Sequence, residues 1–173
     1  MGMLNYIKNG VQTMKAAIIY FSQSGNTQYV AKKLAAALNA DLIPLVPRKA
    51  YPDSGFKKFF WGGKSALMGN KPDLEPYAFD GDAYDRIIFG SPVWAGTFAP
   101  PLRTFVEDNR TALQGKRLSA FFCCSGGPGK VLDKFKAFLA CDRLEQGFIL
   151  IDPKDKPFPE TEEMIKGYID TLQ

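Results

Sequence analysis

No histidine occurs anywhere in the 173-residue sequence. Its absence removes the side chain that titrates near neutral pH, the commonest metal ligand, and every Ser/His or Cys/His nucleophile pair. Hydrolytic triads are excluded. Cysteine is scarce as well: Cys123, Cys124 and Cys141 form neither a CxxC nor a zinc spacing. An odd number of cysteines without a signal peptide fits a reducing cytosol and predicts free, mostly buried thiols. No Cys-x5-Arg phosphatase loop is present, because Gly129, Lys130 and Gly147 follow the three cysteines at that spacing. Long apolar runs are missing too. The longest, Ala16 to Phe21 and Leu118 to Cys124, fall far short of the ~20 residues that cross a bilayer. The expectation is a cytoplasmic protein with no membrane and no nucleic-acid partner.

No repeat of 20 to 50 residues is visible, and sixteen glycines with twelve prolines stay below the share that marks low-complexity chains. With 46% hydrophobic and 23% charged residues, the chain can bury one core. Its formal charge is +4, but the excess is local. Between Pro47 and Pro72, Arg48, Lys49, Lys57, Lys58, Lys64 and Lys71 face only Asp53.

Residues 1–13 contain Asn5, Lys8, Asn9 and Gln12, too polar for a signal core, and Tyr6 stands where a myristoylation signal needs Ser or Thr. They are read as an N-terminal extension, with Met14 an alternative start and residues 14–173 as the folded domain. From there strand and helix patterns alternate. Ala16 to Phe21 is apolar without polar alternation, as in a parallel strand covered on both faces. Val30, Leu34 and Leu38 repeat every four residues with Ala31, Ala35 and Ala37, and Asn39 supplies a stop. Asp41 to Val46 is a second strand that Pro44 confines to a sheet edge. Arg86 to Gly90, Leu118 to Cys124 and Gly147 to Ile151 are further strands. Pro100 and Pro101 open one helix, Val131, Phe135, Phe138 and Leu139 line another, and Thr161 is the expected N-cap of the last, ahead of Glu162 and Glu163. Five such alternations predict a doubly wound, five-stranded parallel α/β sheet. Ligands bind such sheets beyond the carboxyl ends of the strands, so the loops after strands one, three and four are the places to look.

The first of these loops, Ser22-Gln23-Ser24-Gly25-Asn26-Thr27, runs into a helix. Hydroxyls, a permissive glycine and free amides at a helix N-terminus suit an anion, and with no Lys or Arg inside the loop a single phosphate monoester fits better than a triphosphate. The alternative is an ordinary Ser/Thr-rich turn with an N-cap. After strand three the chain reads Gly90-Ser91-Pro92-Val93-Trp94-Ala95-Gly96-Thr97, where Trp94 can stack on a planar ring or serve as a core tryptophan. The third loop, Ser125-Gly126-Gly127-Pro128-Gly129, offers close backbone and no aromatic. Two other motifs fail on inspection. Gly63-Lys64-Ser65 lacks the P-loop glycine, since Lys58 stands there, and Asp80 to Asp85 has Tyr84 at a calcium-ligand position and Asp85 in place of the turn glycine.

These loops and strands, from Met14 to about residue 172, resemble the flavodoxin family. The resemblance rests on Ser22-x-Ser24-Gly25-x-Thr27, on Gly90-Ser91-Pro92-x-Trp94 and on the strand count with an edge second strand. It implies strand order 2-1-3-4-5 and an FMN cofactor. It also implies phosphate binding by Ser22, Gln23, Ser24, Gly25, Asn26 and Thr27. The flavin ring would then meet Ser91, Pro92, Val93, Trp94, Ala95 and Gly96 on one side and Ser125, Gly126 and Gly127 on the other. The basic stretch Phe56 to Lys64 looks like the long second helix of a bacterial branch. Unlike many electron carriers of that family, this chain is basic and has Gly-Gly-Pro-Gly where a stacking tyrosine stands, which leaves one flavin face more open. The resemblance implies an electron carrier working with redox partner proteins, as a monomer or weak dimer. The alternative is an FMN-dependent NAD(P)H or quinone oxidoreductase. A module that has lost flavin is disfavoured by the intact phosphate loop.

Overall fold

The computed structural model describes residues 14–52, 64, 66–140 and 144–173. The expected extension at residues 1–13, most of the stretch Phe56 to Lys64 and Cys141 lie outside the described residues. Strand β1 (Ala16–Tyr20) is buried along its whole length, as its unbroken apolar run requires. Its side chains alternate between two cores. Ala17 and Ile19 join one, Ile18 and Tyr20 the other. β2 (Asp41–Pro44) pairs only with β1 among the described strands, and Pro44 stands at that edge.

The five long strands, β1, β2, β3 (Arg86–Trp94), β5 (Arg117–Cys124) and β6 (Leu144–Ile151), run parallel in the order β2-β1-β3-β5-β6. This is the 2-1-3-4-5 order expected of the parallel strands. A sixth strand, β4 (Thr97–Phe98), lies off that path and pairs antiparallel with the end of β3. Its hairpin extends β3 past Gly90, so that Ser91 to Trp94 are strand residues and not loop.

Helices cover both faces. α1 (Asn26–Leu38) and α4 (Thr161–Leu172) supply Val30, Leu34, Ile165, Tyr168 and Leu172 to the core that holds Ile18. α2 (Pro100–Asp108) and α3 (Val131–Leu139) supply Leu102, Phe105, Phe135 and Leu139 to the core that holds Ile19. Asn39 ends α1 in the left-handed conformation, its N–H bonded to the Ala35 carbonyl, and the two prolines open α2. Thr161 is not the N-cap of α4. The Glu160 carbonyl already accepts the Met164 N–H at 2.9 Å, which makes Glu160 the cap and sets Thr161, buried, at the first helical position. Glu162 receives Tyr29 Oη at 2.7 Å and Lys33 Nζ at 2.9 Å, tying α4 to α1.

Part of the basic segment is committed locally. Arg48 Nε donates to the Leu74 carbonyl at 3.2 Å, and Lys71 pairs with Glu107 at 2.6 Å. No described helix is long and apolar enough to cross a membrane.

Candidate functional site

The carboxyl ends of β1, β3, β5 and β6 enclose a cavity of about 740 Å³. Below it the chain leaves β1 through Ser22 to Gly25 and enters α1. Gly25 has φ 93°, a left-handed conformation that only glycine adopts cheaply, so α1 starts abruptly and its first-turn amides face the loop. Ser24 and Thr27 line the cavity; Ser22 instead accepts the Gln28 N–H at 3.1 Å and caps the helix. Gln23 also lines it, held by a 2.8 Å bond from Nε2 to the Pro52 carbonyl, while its Oε1 is buried without a partner among the described residues.

Asn26 is buried and fully occupied: Nδ2 donates to Asp155 Oδ2 at 2.7 Å and to Ser24 Oγ at 3.3 Å, and Oδ1 accepts the Lys154 N–H at 2.9 Å. Its side chain therefore pins the loop after β6 to the loop after β1.

On the β3 side, Ala95 and Gly96 have φ 50° and 69° between the paired residues Trp94 and Thr97. Two left-handed residues make the two-residue hairpin whose twist matches its strands. Pro92, Val93, Trp94, Ala95 and Gly96 line the cavity, whereas Ser91 does not. Ser91 is fully buried, donating to the Pro92 carbonyl at 2.8 Å and accepting the Ala99 N–H at 2.9 Å, so its hydroxyl shapes the hairpin. The indole of Trp94 stands nearly perpendicular to Phe21 at 5.5 Å and to Tyr51 at 4.9 Å.

The β5 side contributes Cys123, Cys124, Ser125, Gly126 and Gly127. Both thiols are buried and free. Burial pushes the Cys123 thiol up to about 12, only partly offset by a hydrogen bond with Thr27, and burial likewise raises Cys124, whose Sγ donates to the Gly126 carbonyl at 3.1 Å. Burial thus disfavours the reactive thiolate form of both. Asp152 and Asp155 complete the rim; the cavity lining holds no Lys or Arg among the described residues.

Of the fifteen residues predicted for the site, twelve come together around the cavity, and Ser22, Gly25 and Ser91 do not line it. Cys123, Cys124, Asp152 and Asp155 were missed. The signal for the two aspartates was available, since the loop after the last strand opens on the same sheet edge as the others. The arrangement offers polar donors at a helix start, an aromatic wall and open backbone. It suits a bound group that brings its own chemistry.

A family model described as Flavodoxin matches residues 15–152. No curated protein matches the chain. Among solved structures, a candidate flavoprotein of Bacteroides eggerthii superposes with a TM-score of 0.73 at 23% identity, over 92% of this chain and 98% of that one. A flavoprotein of Lactobacillus acidophilus in complex with FMN superposes with a TM-score of 0.67 at 25% identity, over 87% and 98%. A WrbA-like flavodoxin of Agrobacterium tumefaciens is more distant, with a TM-score of 0.58 at 19% identity over 92% and 94%.

Proposed function

The chain belongs to the flavodoxin family, and on that premise we propose that it binds one FMN in the cavity and passes electrons between redox partner proteins in the cytoplasm. The observation that carries this reading is the match between the cavity's two ends and the two ends of the nucleotide. At one end Ser24, Thr27 and the first-turn amides of α1 converge, donors suited to a phosphate monoester. At the other, Trp94 and the Ala95-Gly96 turn face the glycine loop of β5, a slot suited to a flat ring. Gln23 also lines the cavity, and its Oε1, without a partner among the described residues, is an acceptor that a ribityl hydroxyl can satisfy.

When bound, FMN supplies the electron-carrying chemistry through its isoalloxazine ring. The protein's residues hold, orient and shield it. Gly25, at φ 93°, turns the chain from the loop into α1. The hairpin of Trp94 to Thr97 and the loop from Ser125 to Gly127 bound the ring. The buried, protonated thiols of Cys123 and Cys124 close the cavity floor without adding charge. The L. acidophilus structure with FMN supports the same choice of cofactor. Extraction of the bound pigment and its chromatography tests it: stoichiometric FMN is expected, and mostly FAD, or a colourless protein that refuses added FMN, refutes it.

A second reading, an FMN-dependent NAD(P)H or quinone oxidoreductase, is favoured by one feature. A Cβ built on Gly126 or Gly127 would meet nothing within 4 Å among the described residues, which leaves room there for a small substrate. Steady-state oxidation of NADPH with a quinone acceptor separates the two. Turnover by the purified protein alone favours the enzyme, and turnover that requires an added reductase favours the carrier.

A further inference from the structure

Two neighbouring apolar side chains are left in water. Leu67 and Met68 are each 66% exposed, while Ala66 beside them is buried. A helical turn accounts for the contrast. The Met68 N–H donates to the Lys64 carbonyl at 2.9 Å and the Gly69 N–H to the Ala66 carbonyl at 3.3 Å, and Gly69 ends the turn at φ 65°. Ala66 anchors this turn to the core, and the next two residues project from it. Single apolar residues are ordinary on a surface, but two in succession with a charged rim have the composition of an interface centre.

The rim here is cationic. Lys64 stands one turn before Met68. A Cβ built on Gly69 would lie 3.8 Å from Arg103 Cζ, whose guanidinium is 4.4 Å over the Phe138 ring, and Arg110 is 5.1 Å over the same ring. Lys64, Arg103 and Arg110 form no ion pair among the described residues. Of the carboxylates nearby, Glu107 is paired with Lys71 at 2.6 Å and also faces Arg103, and Asp108 faces Lys71. Lys64, Lys71, Arg103 and Arg110 against Glu107 and Asp108 leave the rim positive. The patch also adjoins the cavity. Arg103 Cζ lies 5.0 Å over the Phe98 ring, and Phe98 pairs with Val93, which lines the cavity, so a protein seated on Leu67 and Met68 would stand beside the hairpin that bounds the ring end.

We propose that Leu67, Met68 and the cations around them are the docking face for a redox partner protein that is acidic where it touches this chain. The proposal rests on the FMN-carrier reading and adds the chemistry of the partner. Leu67 and Met68 supply the contact that excludes water. The cations steer and orient the encounter, the part of recognition that long-range charge performs. A partner with carboxylates around an apolar centre is drawn to this face, and a basic one is repelled from it.

Electron transfer from the reduced, FMN-loaded full-length chain to two forms of one acceptor tests the face: cytochrome c, which is basic, and the same cytochrome made acidic by succinylating its lysines. At low salt the acidic form is expected to be reduced at least about threefold faster, and the advantage to vanish as salt rises. Leu67→Glu with Met68→Glu, and separately Lys64→Gln with Arg110→Gln, are expected to slow the acidic acceptor about three- to tenfold while FMN affinity and the reduction of a small uncharged quinone stay as in the wild type. A loaded wild type that prefers the basic cytochrome overturns the acidic partner and leaves the FMN reading standing. An acidic preference that both double variants keep puts docking elsewhere and overturns the face. Binding to vesicles of anionic lipid that the same variants lose makes the face a membrane surface and overturns the protein partner. A wild type that takes up no FMN overturns both the reading and the proposal.

Discussion

Gly129 meets Gly96 backbone to backbone: a Cβ built on Gly129 would stand 2.7 Å from the Gly96 Cα and 3.4 Å from its carbonyl oxygen. Gly129 lies in the loop after β5 and Gly96 in the β3–β4 turn, so the two loops that bound the proposed flavin slot are seated on each other. Their separation is set by two bare Cα atoms. Both residues have positive φ, 56° and 69°, so each is a glycine for conformational as well as steric reasons.

Gly129→Ala is expected to destabilise the fold by about 1–3 kcal/mol, from strain at positive φ together with displacement of the hairpin turn. Flavin affinity should fall with it, because the slot widens. Gly126→Ala is the control, since a Cβ there meets nothing within 4 Å and φ is not positive. Denaturant titration of the two variants decides: equal stabilities would show that the Gly96 contact is not a constraint.

The parallel sheet and its edge strand were legible because their signals are local. Burial on both faces makes an unbroken apolar run, and Pro44 forbids a central position. The β4 hairpin was not legible, because Ala95 is not a residue that sequence alone assigns to φ 50°; the pairing of Val93 with Phe98 and of Trp94 with Thr97 imposes it. The loops that border the cavity were legible for the same reason that the strands were, by their place after them. What escaped was long-range. Ser22 and Ser24 are both hydroxyls two residues apart, yet one caps Gln28 and the other faces the cavity. Asn26 reads as a loop donor but is consumed by Lys154 and Asp155, more than 120 residues away in the chain. Thr161 reads as a cap, and the chain's approach through Glu160 moved the cap one residue back.

Ser24→Ala is expected to weaken FMN binding by at least about tenfold, the loss of one hydrogen bond to a charged group. Ser24 is exposed, so the flavin-free protein should keep its melting temperature. Thr27→Ala should lose similar affinity and also some stability, because Thr27 is buried and bonded to the Cys123 thiol. Fluorescence titrations paired with thermal melts check both effects. Binding curves that match wild type in both variants would remove these hydroxyls from the phosphate site.

Alkaline pH should destabilise the fold through Cys123. Its thiol is raised by burial from 9.0 to about 12, and burial raises Cys124 and the Tyr168 phenol in the same direction. An acid with a native pKa above its unfolded one keeps its proton longer in the folded state, so the stabilisation is complete below pH 9 and is lost as pH rises towards 12. Unfolding free energy measured at steps across that window is expected to slope downward. The slope should be shallower in Cys123→Ala and not abolished, because Cys124 and Tyr168 remain. Parallel curves for the two proteins would show that the thiol does not titrate as its burial requires.

Trp94 is the wall of the slot whose orientation is fixed most firmly. Phe21 and Tyr51 stand at 84° and 79° to it, so the indole cannot turn without breaking two edge contacts, each worth about 0.5–1.5 kcal/mol. An aromatic ring held this way lines the cavity at no further ordering cost when a flat ligand enters. Electron transfer from an indole beside the ring quenches flavin emission, so Trp94→Ala should brighten bound FMN and loosen it, by about fivefold if the stacking contribution is near 1 kcal/mol. Trp94→Phe separates the two roles. Phenylalanine keeps a flat apolar face but is a poorer electron donor, so binding should recover more than quenching does. Emission that stays as dim in Trp94→Ala as in the wild type would mean that the indole belongs to the cluster with Phe21 and Tyr51 alone, and that another residue faces the flavin.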